Sequence, residues 1–205
     1  MKSPLVILHA LLLQLLVACS SGGLEKPRLI NPVPYSGTIA RSMTEGSRSV
    51  MGRLEVRPPT SGGFITAIIA TSSGRQLEAE WPEWAKSPPF IDPSRTYKIE
   101  LMTRIYEDPD YVFNDILRVS DSGQVLIDSS VCHLHHLTMK RQIEDGHSAE
   151  AYPNNLDFIR SRKFPNDGNV YLACGSGIRH PMWRCMECYK QYLLWTKRNG
   201  IDPTY

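Results

Sequence analysis

The chain has 205 residues, a length that suits one domain, and its hydrophobic content of 41% is enough for a packed core. This composition excludes an intrinsically disordered body. The formal net charge is only +2 at pH 7, so the sequence has no basic footprint for nucleic acid, and we expect no nucleic-acid partner.

The first residues have the pattern of a secretory signal peptide. Lys2 supplies one positive charge, and an apolar run from Leu5 to Val17 follows, interrupted by His9 and Gln14. A helix of that length reaches roughly 20 Å, whereas a bilayer core of about 30 Å needs near twenty apolar residues. We therefore predict that residues 1–18 are a cleaved signal peptide and that the rest of the chain is secreted.

The end of the apolar run carries a second signal, Leu16-Val17-Ala18-Cys19. This motif resembles the lipobox of bacterial lipoproteins, which implies diacylglycerol on the Cys19 thiol, cleavage before Cys19 and acylation of the new amine. Two or more acyl chains anchor a protein stably in a membrane. The non-acidic Ser20 resembles the outer-membrane sorting signal, so we expect a lipid-anchored protein of the cell envelope that faces the periplasm. The alternative is a plain signal peptide with an incidental cysteine.

The residues after Cys19 have the composition of a spacer. Residues 20–34 contain two serines, two glycines and three prolines, with few apolar residues. This composition is typical of a flexible linker. We predict that residues 19–34 form the lipid anchor and a tether for a folded body that begins at residue 35.

Residues 35–130 are predicted to form a β-rich domain. The clearest strand is 97–106, where apolar or small side chains alternate with charged ones. The predicted buried face consists of Tyr97, Ile99, Leu101, Thr103 and Ile105, and the opposite face carries Lys98, Glu100 and Arg104. Further strands are predicted at 52–57 and 64–71, and a hairpin is predicted from 111–120 and 124–128 around Asp121-Ser122-Gly123.

These short strands follow one another without intervening helices, which favours a small antiparallel barrel or sandwich. We expect an OB-like barrel. With the helical region that follows, the predicted fold class is α+β.

A proline-rich loop over residues 82–93 interrupts the strands, because its four prolines are incompatible with a central strand or a helix interior. Trp81, Trp84 and Phe90 lie in or beside this loop and could form an exposed patch that binds a protein or peptide. The alternative is that these aromatic side chains cap an open end of the barrel.

Residues 131–205 are predicted to be largely helical. A short helix is expected at 155–164. A longer helix is expected to begin near His180-Pro181, because proline suits a first helical turn. It is expected to end with Lys197 and Arg198 in its last turn and Gly200 as the terminating residue.

Two ligand pairs in this region point to a metal site. Cys132-x-x-His135 follows the last predicted strand, and Cys185-x-x-Cys188 lies near the last helix. Two pairs of this type can complete the tetrahedron that Zn²⁺ takes in structural sites, so zinc is the predicted cofactor. The long separation of the pairs is unusual for such sites, and His133 and His136 are possible substitutes for His135.

Two other interpretations of the cysteines stay open. Secretion places the chain in an oxidising compartment, where Cys132, Cys174, Cys185 and Cys188 could form two disulfides. Alternatively, Cys185 and Cys188 could be the redox pair of a periplasmic thiol–disulfide enzyme, because a helix N-terminus favours a thiolate. We find no nucleophile elbow, phosphate loop or zinc-protease motif, and we predict no catalytic residue.

The arrangement of Cys132, His135, Cys185, Cys188 and Trp195 weakly resembles uncharacterised bacterial proteins in which Cys-x-x-His precedes a C-terminal Cys-x-x-Cys and a tryptophan. That resemblance implies no known activity. The function predicted from sequence is therefore a non-catalytic, membrane-anchored module with a structural metal site, and a disulfide-stabilised binding scaffold or a redox protein are the alternatives.

Overall fold

The computed structural model describes residues 26–35, 43–58, 65–82, 84–85, 91–107, 111–145, 147–148, 156–168, 171–172 and 179–202. The predicted signal peptide, Cys19, Phe90 and Cys174 lie outside these residues. Among the described helices, none combines the length and the apolar character needed to span a membrane. The fold is mainly β-sheet, with a helix at its C-terminal end.

One seven-stranded sheet, here called the β body, accounts for the described residues from 30 to 128. Its strands are β1 (Ile30–Tyr35), β2 (Met43–Arg57), β3 (Thr66–Thr71), β4 (Gln76–Glu80), β5 (Tyr97–Tyr106), β6 (Val112–Asp121) and β7 (Gln124–Asp128). The hairpin prediction is confirmed, because β6 and β7 pair antiparallel around residues 122–123.

Strand β2 is long enough to pair with β5 along one edge and with β3 along the other. Residues 43–52 pair antiparallel with β5, and residues 52–57 pair antiparallel with β3. β3 pairs with β4, β4 meets β6 in parallel at Glu80 and Asp115, and β6 pairs antiparallel with β5. The series β2–β3–β4–β6–β5 therefore returns to β2.

Gly52 lies where β2 passes from β5 to β3. A Cβ atom at this position would be 2.8 Å from the carbonyl oxygen of Ala70. The close approach of the two backbones therefore requires glycine here.

The alternation predicted for residues 97–106 is confirmed in β5, where each inward side chain is buried and Lys98 is exposed. The core of the β body contains Leu54, Ala67, Ile69, Ala79, Trp81, Ala85, Tyr97, Ile99, Leu101, Ile116, Val119 and Ile127. Within the part of the chain that the structure describes, every member of this cluster lies before position 128.

The C-terminal region, residues 131–202, contains more strand than the sequence indicated. Its elements are β8 (Lys140–Asp145), β9 (His147–Ser148), α1 (Leu156–Lys163), β10 (Tyr171–Leu172), β11 (Arg179–Arg184) and α2 (Met186–Arg198). β8 pairs antiparallel with β11, and β9 pairs in parallel with β10. An ion pair between Arg141 of β8 and the buried Glu45 of β2 joins this region to the β body.

Two sequence predictions need correction. The tether predicted over residues 19–34 is wrong from Ile30 onward, because Ile30–Tyr35 pairs with β2 as an exposed edge strand, where prolines are tolerated. The last helix does not begin at His180-Pro181. Residues 179–184 form β11 because they pair with β8, and α2 starts after Cys185.

The other end of α2 and the shorter helix agree with the predictions. α1 spans Leu156–Lys163. Gly200 has a φ of 65°, and the N–H of Ile201 donates to the carbonyl of Thr196, which satisfies a helix C-terminus after Arg198.

Candidate metal centre

The first ligand pair lies on a tight turn after β7. The N–H of His136 donates to the carbonyl of Cys132 at 2.8 Å, and the N–H of Cys132 donates to the carbonyl of Leu137 at 2.9 Å. The chain leaves the turn through His136, whose φ is 55°. This closed turn holds Cys132 Sγ and His135 Nδ1 3.5 Å apart.

The second pair lies at the start of α2. Cys185 is the N-cap residue, with extended backbone dihedrals, and the N–H of Tyr189 donates to its carbonyl at 3.0 Å. Cys188 lies in the first turn, three residues on, so both thiols share one side of the helix end. Both cysteines are buried.

The β8–β11 ladder explains how two pairs so far apart in sequence can meet. Lys140 and Arg184 are partners at one end of the ladder, so the turn that precedes β8 and the helix that follows β11 are neighbours. The segment between β8 and β11, residues 146–178, leaves from the opposite end. Its length therefore does not separate the ligand pairs.

The four ligand atoms of Cys132, His135, Cys185 and Cys188 all lie within 4.8 Å of one another. The Sγ atoms of Cys132 and Cys188 are 3.7 Å apart. His135 Nδ1 lies 3.5, 3.5 and 3.4 Å from the sulfur atoms of Cys132, Cys185 and Cys188. The group could therefore hold a metal ion.

These distances fit one tetrahedral ion. Metal–sulfur bonds of about 2.3 Å and metal–nitrogen bonds of about 2.0 Å give tetrahedral edges of about 3.8 Å between sulfurs and about 3.5 Å between sulfur and nitrogen. A disulfide requires about 2.0 Å between sulfurs. Cys132, Cys185 and Cys188 are accordingly free thiols, and the disulfide interpretation has no support among the described cysteines.

The electrostatics of the group favour a cation. Burial acts to raise the pKa of Cys132, but hydrogen bonds from the backbone of His135 and Leu134 and from the Asn166 side chain lower it to about 6. Burial raises the pKa of Cys188 far above its usual range, and the neighbouring thiols of Cys132 and Cys185 add to this effect. A divalent ion among the sulfurs would remove the penalty for the further thiolates.

The neighbouring histidines lie outside the group. His133 stacks on Trp84, with ring centroids 5.3 Å apart, and its Nδ1 accepts a hydrogen bond from Asn166 Nδ2 at 3.1 Å. Burial lowers the pKa of His133, and the charges of His135 and His136 lower it further. His136 is exposed. Of the three histidines of the turn, His135 alone offers a ligand atom to the group.

One member of the predicted aromatic patch, Trp81, is buried rather than exposed. Trp81 is fully buried in the β body, and its Nε1 donates to the carbonyl of Ala85 at 2.8 Å, so its assignment to an exposed binding loop is wrong. Trp84 is 36% exposed and packs against His133 of the metal-binding turn. Packing rather than ligand contact explains the position of Trp81.

Asn166 is a residue of the site that the sequence analysis missed. It lies in the turn after α1, Phe164–Gly168, and its Nδ2 donates to Cys132 Sγ at 3.3 Å. A lone asparagine after a proline carries no sequence signal for this role, because the role depends on the packing of distant segments.

Comparison of the chain with protein-family models, with curated proteins and with solved structures finds no match.

Proposed function

We propose that this protein is a lipid-anchored module of the bacterial cell envelope whose C-terminal region is stabilised by a structural zinc site. The single observation that carries the zinc site is the convergence of Cys132, His135, Cys185 and Cys188, whose ligand atoms all lie within 4.8 Å of one another. Four protein ligands close the coordination sphere, which is typical of structural zinc sites, whereas catalytic sites keep one position for water or substrate.

Zinc fits the ligand set better than other ions. Three thiolates and one imidazole form a soft to borderline set, and a tetrahedral geometry with sulfur ligands selects zinc or iron–sulfur chemistry. Zinc has no redox chemistry of its own and suits mixed cysteine and histidine ligands. Burial of the three cysteines also limits the access of oxidants in a secreted protein.

Metal analysis tests this proposal directly. Protein purified without reducing agent should contain about one zinc per chain. Cys188→Ser should abolish zinc binding, because it removes a ligand and leaves an incomplete, buried site. Plasma mass spectrometry on matched samples gives the metal content.

Two matched controls separate the site from a general effect of mutation. Cys174→Ser should keep its zinc, since the four ligands are complete without Cys174. His136→Ala should also keep it, whereas His135→Ala should lose it. Metal-free wild-type protein in which all four non-lipidated cysteines are blocked as disulfides would contradict the proposal.

The redox alternative makes a different prediction from the same samples. Thiol–disulfide exchange needs an accessible thiolate, and both Cys185 and Cys188 are buried. A metal-free protein with one Cys185–Cys188 disulfide that mild thiol reverses would favour the enzyme over the structural site.

For the β body, we propose an OB-like barrel. The ring of pairings β2–β3–β4–β6–β5, with one parallel contact between β4 and β6, supports this assignment. An OB fold is a five-stranded, partly open Greek-key barrel. β1 and β7 would then be additions at its edges.

The membrane anchor is a separate proposal that rests on residues 16–19. Cys19→Ala should abolish incorporation of labelled palmitate and stall the removal of the signal peptide, because the thiol is the lipid acceptor. Cell fractionation and metabolic labelling measure both effects, with Cys174→Ser as the control that keeps the lipid. A Cys19→Ala protein that partitions into membranes like wild type would rule out lipid anchoring at Cys19.

A further inference from the structure

Asn166 contacts the backbone or side chain of three of the four proposed ligands. Its carbonyl accepts a hydrogen bond of 2.7 Å from the N–H of Cys185, and its own N–H donates to the sulfur of Cys188. Its side-chain Nδ2 donates to the sulfur of Cys132 at 3.3 Å. Asn166 therefore bridges the turn that carries Cys132 and the helix end that carries Cys185 and Cys188.

The donors of Asn166 match the charge of the site. Three thiolates around one Zn²⁺ leave a net negative charge on the centre when His135 is neutral. N–H groups aimed at the sulfurs spread this charge and orient the ligands, which is the usual task of groups just outside a metal's coordination sphere. The side-chain amide donates to the sulfur of Cys132. The backbone N–H donates to the sulfur of Cys188, and this contact does not depend on the side chain.

The turn around Asn166 is itself firmly attached to the rest of the C-terminal region. The next residue, Asp167, is buried and accepts a hydrogen bond of 2.6 Å from Arg160 of α1. The carbonyl of Asp167 accepts a bond of 2.9 Å from Arg184 Nε at the end of β11. Asn166 thus connects the sulfurs to α1 through one short, rigid turn.

We propose that Asn166 is a positioning residue of the metal centre, and that it couples metal binding to the docking of residues 156–168. This inference rests on the proposed zinc site and deepens it. The segment that carries Asn166 interrupts the β8–β11 hairpin, and the ion orders it through the sulfurs that Asn166 contacts.

The test compares Asn166→Asp and Asn166→Ala with the wild type. Asp has the shape of Asn but replaces the amide donor by a carboxylate. Zinc affinity, measured by competition with a chelator, should therefore fall by at least the 10- to 100-fold that is typical when a hydrogen-bond partner of a metal ligand is lost. The loss should be at least as large for Asp as for Ala. The Ala variant should lose about tenfold, because the backbone contacts remain. Asn199→Ala, at the exposed end of α2, is the control and should bind zinc like wild type.

A second measurement distinguishes positioning from a general loss of stability. With Co²⁺ in place of zinc, the sulfur-to-metal charge-transfer band of Asn166→Ala should shift at saturating metal, because one N–H to sulfur bond is gone. Hydrogen exchange should quicken in residues 156–168 of this loaded variant, with β8, β11 and α2 unchanged.

The outcomes separate the two proposals. Wild-type protein that binds no zinc contradicts the metal site itself. Wild-type protein that binds zinc, together with Asn166 variants of unchanged affinity or an unshifted cobalt band, overturns the role of Asn166 and leaves the metal site standing.

Discussion

Removal of zinc by a strong chelator should unfold the C-terminal region and leave the β body folded. The buried apolar cluster of that region consists of Cys132, Met139, Cys185 and Cys188, with Trp183 packed against it. Three of the four buried members are proposed ligands, so little apolar side chain holds this cluster together without the ion. Structural zinc contributes roughly 10–16 kcal/mol in small domains, which exceeds the total stability of most domains.

Hydrogen exchange with mass spectrometry measures this effect in each segment. After chelation, amide protection in β8, β11 and α2 should be lost, whereas β5 should exchange as before, because the core of the β body is built from residues 54–127. Readdition of zinc should restore the protection. Equal protection of α2 with and without chelator would show that helix packing, and not a metal, holds this region.

The aromatic residues of α2 pack against neighbouring residues and are the source of stability that competes with the metal in this test. Tyr192 is buried, and its ring lies 5.8 Å from that of Phe164, which in turn lies 5.9 Å from Trp195. Arg160 lies over the Tyr192 ring at 3.9 Å. These contacts link α2 to α1 and to Phe164 in the turn that follows α1. The turn that carries Cys132 and His135 meets this region through Asn166 and the proposed ligands, so the ring contacts do not take the place of the ion at that junction.

The parts of the fold that the sequence predicted well depend on local patterns. The alternation in β5 arises because one face of the strand is solvent-exposed and the other is buried. The hairpin of β6 and β7 is indicated by a turn sequence between two runs of β-forming residues. The ligand pairs were predictable for the same reason. Spacing by three residues brings two ligands together on a tight turn or at a helix end, whatever the rest of the chain does.

The parts that were missed depend on contacts between distant segments. Pro181 suits a first helical turn, but its segment pairs with β8, and no feature near Pro181 encodes that partner. Ile30–Tyr35 has the composition of a linker, yet the open edge of β2 pairs with it. Asn166 acts only because the β8–β11 ladder brings two ligand pairs to it.

Truncation of Leu101 to alanine should strongly destabilise the β body. Leu101 is fully buried in β5, between β2 on one side and β6 on the other. Leucine-to-alanine changes at such positions cost about 2–5 kcal/mol, because the lost contacts leave a cavity that the packed neighbours cannot fill. Urea unfolding of wild type and variant, followed by tryptophan fluorescence, to which the buried Trp81 contributes, measures the free energy of unfolding.

Two controls identify burial as the cause of the loss. Lys98→Ala, on the exposed face of the same strand, should change the free energy of unfolding by no more than about 0.5 kcal/mol, since its ion pair with Glu100 is exposed. Leu194→Ala removes the same atoms from a side chain of α2 that is 40% exposed and should also cost little. Because the Leu101 cavity lies away from the cysteines, the Leu101→Ala protein should retain its zinc in native buffer. Equally small losses for Leu101→Ala and Lys98→Ala would mean that β5 does not form the core, and the assignment of the β body would be wrong.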